Sequence, residues 1–178
     1  MQALQELYTT LQQRFPVGEL TLQRQNLAFI TVEAVQLYSV LRYLRDHEGF
    51  SHLVLLTAVD WLEDKQFQLT YLLHNRTRCQ DVGIRVLIPR EQPSMESIHD
   101  LWAAAATYQR ELFEMFGIRF PGSPRLEEAF ILEGWHDIPP YRRDFDTLEY
   151  ARKTYRERPG RETRDPAQHM KQQLYGED

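Results

Sequence analysis

The chain of 178 residues contains a single cysteine, Cys79. One thiol can form neither an intrachain disulfide nor the ligand set of an iron–sulfur cluster. A disulfide-rich secreted fold is therefore excluded, and a reducing cytoplasm is the expected compartment. Cys79 lies between Arg78 and Gln80, and nearby arginines favour a reactive thiolate, but a loop thiol without a chemical role is the simpler interpretation.

Long hydrophobic runs and an excess of basic charge are also lacking. The longest apolar stretches, residues 53–59 and 101–106, fall far short of the roughly 20 residues needed to span a bilayer. The net charge of −5 provides no general attraction for nucleic acid or an anionic membrane. The first residues lack the basic-then-apolar pattern of a signal peptide. We expect a protein that is soluble when isolated and reaches a membrane only through partners.

Catalytic motifs are equally scarce. The sequence has no glycine-rich nucleotide loop, no His-Glu-x-x-His and no Gly-x-Ser-x-Gly, and its six histidines are scattered singly. Two alternatives remain: His136 and Asp137 as a base with its orienting carboxylate, and Glu111 with Glu114 as an acid–base pair on one helix. An ion pair between Arg110 and Glu114, four residues apart, is the simpler interpretation of the second. We therefore predict no catalytic, cofactor-binding or metal-binding residue in this chain.

The composition, with 42% hydrophobic residues, is sufficient for a folded core. Apolar periodicity predicts helices over 3–14, 33–47 and 94–116, the last with Ser94 as N-cap and Gly117 just past its end. Strands are predicted over 20–24, 27–32, 52–61, 66–74 and 82–88. Asp60 and Glu63, at the end of the third strand, are predicted to lie in a solvated turn. The order indicates an α+β domain of two layers, with helices covering one face of a mixed sheet.

The character of the sequence changes after Gly117. Residues 118–145 are rich in proline and aromatic side chains, whereas residues 140–178 carry nine Lys and Arg against eight Asp and Glu. We predict a core domain over 1–117, a proline- and aromatic-rich segment over 118–145, and a charged tail over 146–178. The spaced aromatic and arginine residues favour a tail that wraps a partner protein. An RNA-binding tail is the alternative, disfavoured by the balanced charge.

About residues 50–145 closely resemble a known family, and the predicted N-terminal helix–hairpin–helix resembles it more loosely. Residues 108–122 read Tyr-Gln-Arg-Glu-Leu-Phe-Glu-Met-Phe-Gly-Ile-Arg-Phe-Pro-Gly, and residues 140–145 read Pro-Tyr-Arg-Arg-Asp-Phe. These motifs resemble the signature of the 30 kDa subunit of complex I, the C subunit of the bacterial enzymes. The stretch 55–60 resembles the strand that ends in Asp in that family. Departures occur at Gln109, Glu114, Ser123 and Ala129, and the spacing from Trp135 to Asp144 is one residue longer than usual.

The resemblance implies a hydrophilic, non-catalytic structural subunit that binds no cofactor itself. It implies a peripheral position at the cytoplasmic side of the inner membrane, in an ion-translocating complex whose other subunits hold NADH, iron–sulfur clusters and quinone. The implied partners are the large quinone-site subunit and the adjacent iron–sulfur subunit. The implied partner-contact and signature residues are Arg110, Glu111, Glu114, Phe116, Gly117, Phe120, Gly122, Pro124, Trp135, Pro140, Arg142, Arg143, Asp144 and Phe145.

The resemblance leaves the electron donor open. Similar subunits occur in F420H2-oxidising relatives, in plastoquinone-type enzymes and in membrane-bound nickel–iron hydrogenases. Arg142 and Arg143 are the arginines we expect to pair with carboxylates of a partner. A free-standing small-molecule enzyme using His136 and Asp137 remains the alternative from a different functional class.

Overall fold

The computed structural model describes residues 2–155. The chain divides into two compact units, Met1–Phe145 and Asp146–Asp178. In the second unit only residues 146–155 are described, so the predicted ordering of the tail on a partner falls mostly outside the described residues. Within that unit, helix α4 (Thr147–Thr154) begins at Asp146, whose carboxylate accepts the backbone N–H groups of Leu148 and Glu149. This is a standard N-cap.

The first unit follows the predicted order of elements. Helix α1 (Gln2–Gln12) precedes the hairpin of β1 (Val17–Arg24) and β2 (Leu27–Val32). A short 3-10 turn (Ala34–Gln36) leads into α2 (Leu37–Asp46). Strands β3 (His52–Trp61), β4 (Gln66–Asn75) and β5 (Gln80–Pro89) follow, and α3 (Ala105–Phe116) completes the layer of helices.

The five strands form one sheet in the order β1-β2-β5-β4-β3. Strands β2 and β5 run parallel, with Ile30 opposite Ile84, and the other neighbouring pairs are antiparallel. Strand β5 therefore lies between β4 and β2, and its parallel pairing with β2 joins the N-terminal hairpin to the other three strands. The predicted α+β class with a mixed sheet is confirmed.

The core lies between one face of the sheet and the helices. Alternate residues of the strands point into it because successive side chains of a strand face opposite sides. Helix α1 contributes apolar residues at helical spacing, as do α2 and α3. The largest fully buried side chains include Leu4, Leu11, Ile30, Leu37, Leu41, Leu44, Phe50, Phe67, Leu69, Tyr71, Leu73, Ile84 and Phe120. Burying each large side chain stabilises the fold by about 1.5–3 kcal/mol.

The prediction of a helix over 94–116 is wrong in its first half. Ser94 forms a parallel bridge with Arg119, in which Met95 N–H donates to the Arg119 carbonyl and Arg119 N–H to the Pro93 carbonyl. These bonds hold the chain in turns and extended structure until Ala105. The apolar side chains Ile98, Leu101 and Trp102 are nevertheless buried, which explains why their spacing imitated a helix.

Tyr71 provides a test of the core. Its ring is fully buried, and its hydroxyl has no hydrogen-bond partner among the described residues. Burial raises the pKa of Tyr71. Because a buried hydroxyl without a partner costs about 1–3 kcal/mol, Tyr71→Phe should raise the free energy of unfolding by about 1 kcal/mol. Urea titration would measure it, with Tyr38→Phe, which removes a surface bond to Asp100, as the control. A loss of stability in Tyr71→Phe would show that the hydroxyl has a partner.

Candidate partner-binding site

The site is organised around Asp60, a carboxylate buried at the end of β3. Only 1% of its side chain is exposed. Arg90, which follows β5, donates to both oxygens: Nε lies 2.8 Å from Oδ1 and Nη2 lies 3.1 Å from Oδ2. The prediction that Asp60 lies in a solvated turn is therefore wrong. The bidentate geometry is the strongest form of an ion pair between side chains.

The same carboxylate holds residues 143–144 against the sheet. The backbone N–H of Arg143 donates to Asp60 Oδ2 at 2.9 Å, and Arg90 Nη2 reaches Asp144 Oδ1 at 2.6 Å. Burial opposes ionisation of Asp60, but these hydrogen bonds and the nearby guanidinium groups outweigh it and hold the pKa of Asp60 below its usual range. Two residues far apart in sequence, Asp60 and Arg90, thus position the Arg143–Asp144 motif.

Arg142 and Arg143 both have partners inside this chain. Arg142 Nε donates to the Phe116 carbonyl at 2.7 Å, and its guanidinium lies 5.4 Å from the centre of the Phe67 ring. The Arg143 guanidinium pairs with Glu63 at 2.5 Å at an exposed position. Pairing of these arginines with carboxylates of a partner stays a prediction, and it must now be compatible with these contacts.

Gly117 makes the Arg142 contact possible. It ends α3 with a φ of +77°, a left-handed conformation that glycine adopts without strain. A Cβ atom at this position would lie 2.9 Å from Arg142 Nη2. The left-handed turn therefore favours glycine here, and the missing side chain leaves room for Arg142, which confirms the predicted place of Gly117 just past the helix.

Glu114 fixes the middle of the proline- and aromatic-rich segment. Its two carboxylate oxygens accept the backbone N–H groups of Phe130, Ile131 and Leu132 at 2.5, 2.8 and 3.0 Å. Arg110 does not pair with Glu114; its guanidinium lies 3.9 Å from Glu128 and 5.3 Å from the Phe130 ring centre. The predicted ion pair is therefore wrong, because the returning segment offers Glu114 three donors.

Substitution of Glu114 should release this segment without unfolding the domain. In Glu114→Ala the amides of residues 130–132 lose their acceptor, and we expect their hydrogen exchange to accelerate about tenfold or more. Glu111→Ala, a matched carboxylate on the same helix with no hydrogen-bond partner among the described residues, should leave those amides unchanged. Exchange measured by mass spectrometry would decide. Equal protection in both variants would contradict the assigned role.

The other predicted signature residues occupy different depths. Phe116 and Phe120 belong to the core, Trp135, Pro140 and Phe145 are half-buried, and Gly122 and Pro124 are exposed. The Trp135 ring packs edge-on against Phe145, with centroids 5.4 Å apart. Phe116 packs likewise against Tyr141, whose backbone N–H donates to the Met115 carbonyl. The segment therefore has a defined conformation in the first unit and presents Tyr141 and Ile138 on its surface.

The geometry gives little support to acid–base chemistry. His136 and Asp137 are exposed, and Asp137 Oδ1 accepts the neighbouring Ile138 N–H. Glu114 is occupied by backbone donors, so it cannot work with Glu111 as a free pair. Residues 2–155 contain no group of three or more His, Cys, Asp or Glu side chains arranged to hold a metal ion. No helix in this part of the chain is long and apolar enough to cross a membrane.

Comparison with known proteins gives a consistent family assignment. Residues 30–151 match the family described as the respiratory-chain NADH dehydrogenase 30 Kd subunit. The C subunit of NADH-quinone oxidoreductase from Moorella thermoacetica is 31% identical over 145 residues, 82% of this chain and 92% of that protein. The C/D subunit of NADH-quinone oxidoreductase from Phocaeicola vulgatus is 31% identical over 117 residues, which cover 66% of this chain but only 22% of the relative.

Two solved structures are also similar. A chain of the membrane-bound sulfane sulfur reductase, an archaeal respiratory membrane complex, matches 93% of this chain and 98% of its own length, with a TM-score of 0.81 and 27% identity. A trypsin-resistant fragment of Nqo5 matches 70% of this chain with a TM-score of 0.58 and 22% identity, a likeness of fold alone. The resemblance inferred from residues 50–145 is confirmed.

Proposed function

Because this chain belongs to the family of the 30 kDa subunit of respiratory-chain NADH dehydrogenase, we propose that it is a non-catalytic structural subunit of a complex I-type quinone oxidoreductase. It sits in the peripheral arm at the cytoplasmic side of the inner membrane, docks on the large quinone-site subunit and lies beside the iron–sulfur subunit. NADH or another donor, the iron–sulfur clusters and the quinone are bound by other subunits. Its contribution to electron transfer is to hold those subunits in place.

The relative named as a C/D subunit is the observation that carries the docking proposal. A stretch similar to this chain occurs there in one polypeptide with a much longer remainder, which we take to include the large subunit. Two proteins joined in one chain in a relative are natural neighbours when encoded separately. The ordered 118–145 segment, held by Asp60, Arg90 and Glu114, supplies a preformed surface for that contact.

Helix α4 supports a role for the second unit in binding. It has eight residues, and isolated helices shorter than about 12–15 residues are marginally stable in water. The cap at Asp146 and the ion pair of Lys153 with Glu149 at 2.5 Å favour helix formation, but each such surface pair contributes only a few tenths of a kcal/mol. We propose that residues 146–178 bind the large subunit and that this contact stabilises α4.

Isolation of the complex tests the proposal. An affinity tag on this chain, in the native host, should recover the large subunit and the iron–sulfur subunit in equal amounts from solubilised membranes, identified by mass spectrometry. The preparation should transfer electrons to quinone, while the purified chain alone should not. Recovery of the chain by itself from both membrane and soluble fractions would contradict the proposal.

An equivalent subunit of a different respiratory membrane complex is the second candidate. The structural match to the sulfane sulfur reductase chain extends over nearly the whole of both chains, so the fold suits complexes with other redox chemistry. A membrane-bound nickel–iron hydrogenase is the specific alternative, and nickel in the co-purified large subunit would identify it. A small-molecule reaction catalysed by the isolated chain and lost in His136→Ala would favour a free-standing enzyme.

A further inference from the structure

The sheet has a second face, opposite the core, and we call it the outer face. It consists of the residues that alternate with the buried ones along β2, β3, β4 and β5. Strand register places its members side by side: Leu55 opposite Leu72, Leu72 opposite Gly83, and Gly83 opposite Phe29. The next row along the sheet is Thr57, Thr70, Arg85 and Thr31.

Much of this outer face is apolar although water reaches it. Val59, Trp61 and Leu87 are 41%, 42% and 44% exposed. Leu55 and Leu72, which are half-buried, form a second apolar row on the other side of Arg85, beyond Thr57 and Thr70. Single exposed apolar side chains are ordinary, but several on one flat face, in rows on both sides of a charged residue, favour an interaction surface.

Arg85 lies at the centre of this surface. Its guanidinium stacks on the Phe29 ring with its carbon 4.0 Å from the ring centre. Its Nε is buried and has no hydrogen-bond partner among the described residues, and no ion pair is formed there by this side chain. Asp81, also on the outer face, has an internal partner, because His74 Nδ1 lies 2.8 Å from its Oδ1. Arg85 is thus the one unpaired charge that the described part of this face presents.

Gly83 and Phe29 hold Arg85 in this position. The Phe29 ring lies across Gly83, where an added Cβ atom would be 2.2 Å from Phe29 Cδ1. The ring therefore lies flat on the sheet and supports the guanidinium. Because this stacking already restricts the Arg85 side chain, less conformational entropy is lost when it pairs with a carboxylate. A depression of about 490 Å³, lined by Val17, Thr31, Ala34 and Leu87 among others, opens beside the same row.

We propose that the outer face binds a segment of a partner subunit that presents one carboxylate within an apolar surrounding. Arg85 pairs with the carboxylate, and Val59, Leu87 and Trp61 cover the apolar side chains around it. A central arginine within a ring of apolar contacts is the usual composition of an energetically important interface. The inference rests on the proposed function for the existence of a complex, and it adds a surface on the side of the sheet opposite residues 139–145.

Cysteine accessibility tests whether the outer face is covered. In a Cys79→Ser background, Leu87→Cys should react readily with a maleimide in the isolated chain and at least about tenfold more slowly in the purified complex. Gln12→Cys on helix α1, on the opposite side of the sheet, is the matched control for general loss of reactivity. An unchanged rate for Leu87→Cys in an intact complex would overturn this inference and leave the proposed function standing.

Cross-linking tests the carboxylate. The Arg85→Lys variant places an amine at this position, so carbodiimide should join it to an Asp or Glu of another subunit, a product that the wild-type complex cannot form there. Arg85→Gln should reduce recovery of the complex about tenfold or more, with unchanged melting of the isolated chain. Arg24→Gln, on the exposed edge strand β1, should recover it normally.

Three results would count against the proposal. If the outer face is covered in the complex but the Arg85→Lys variant forms no cross-link, the partner of Arg85 is not a carboxylate. Protection of Leu87→Cys already in the isolated chain would assign the face to a second copy or to another part of this chain. Failure to isolate any complex would contradict both this inference and the proposed function. An isolated complex in which Leu87→Cys reacts at the same rate as in the isolated chain would contradict this inference alone.

Discussion

Asp60→Ala should lower the free energy of unfolding by about 3–5 kcal/mol, because it leaves the Arg90 guanidinium largely buried without its bidentate partner. It also removes the acceptor of the Arg143 backbone N–H. Urea titration of the isolated chain would measure the loss. Glu63→Ala is the matched control: this carboxylate pairs with Arg143 at a position where both side chains are more than half exposed, so its loss should cost less than about 1 kcal/mol. Equal losses in the two variants would contradict the assigned role of Asp60.

The contribution of Asp60 should also depend on pH. Its pKa is lower in the folded state than in the unfolded chain, where a value near about 3.9 is usual. The ionised form is therefore favoured by folding, and the stabilisation is fully present above about pH 4–5. It is lost as the pH falls through the folded-state pKa. The difference in free energy of unfolding between the wild type and Asp60→Ala should accordingly be constant near neutrality and shrink in acid. The difference between the wild type and Glu63→Ala should already be small at neutral pH.

Removal of residues 146–178 should abolish co-purification of the large subunit while leaving the melting of the remaining domain nearly unchanged. The reason is that Met1–Phe145 forms a compact unit by itself, with the whole sheet and core inside it. The free energy of unfolding of the truncated chain, measured by thermal unfolding, should lie within about 1 kcal/mol of that of the full chain, the range expected for changes away from a core. Affinity purification from native membranes would measure the loss of the partner.

The truncation separates two ways in which binding can fail. A truncated chain that melts normally but recovers no large subunit would assign the docking energy to residues 146–178. A truncated chain that assembles with wild-type yield would contradict that assignment and leave the 118–145 segment and the outer face as the surfaces that bind. Glu149→Gln, which removes one exposed ion pair of α4, should have little effect on either measurement.

The two surfaces proposed for binding are organised separately. The segment 118–145 has its own internal supports: Asp60 and Arg90 at one end, Glu114 in the middle and Gly117 at the turn. The outer face is supported by strand register and by the stacking of Arg85 on Phe29. The proposed role of holding two neighbouring subunits in place favours rigid surfaces, because ordering a surface on binding reduces affinity.

The sequence determined the fold class, the element order and the family. Apolar spacing located α1, α2 and all five strands, because burial against a single core imposes period 3.6 on helices and period 2 on strands. Gly117 and the motif around it identified the end of α3 and the resemblance, since a left-handed turn at a crowded position admits little besides glycine. The lack of cysteine ligands and catalytic motifs directed the interpretation toward a structural role.

Only the tertiary structure decided how the charges are used. Asp60 reads locally as a solvated turn residue and Glu114 as half of a helical ion pair, yet their partners come from 30 and 83 residues away for Asp60 and from 16 to 18 for Glu114. The start of α3 was misplaced for the same reason, since Ser94 pairs with Arg119. Hydrophobic periodicity can be read from a short stretch of sequence, whereas the partner of a polar group depends on which distant segment the fold brings within about 3 Å.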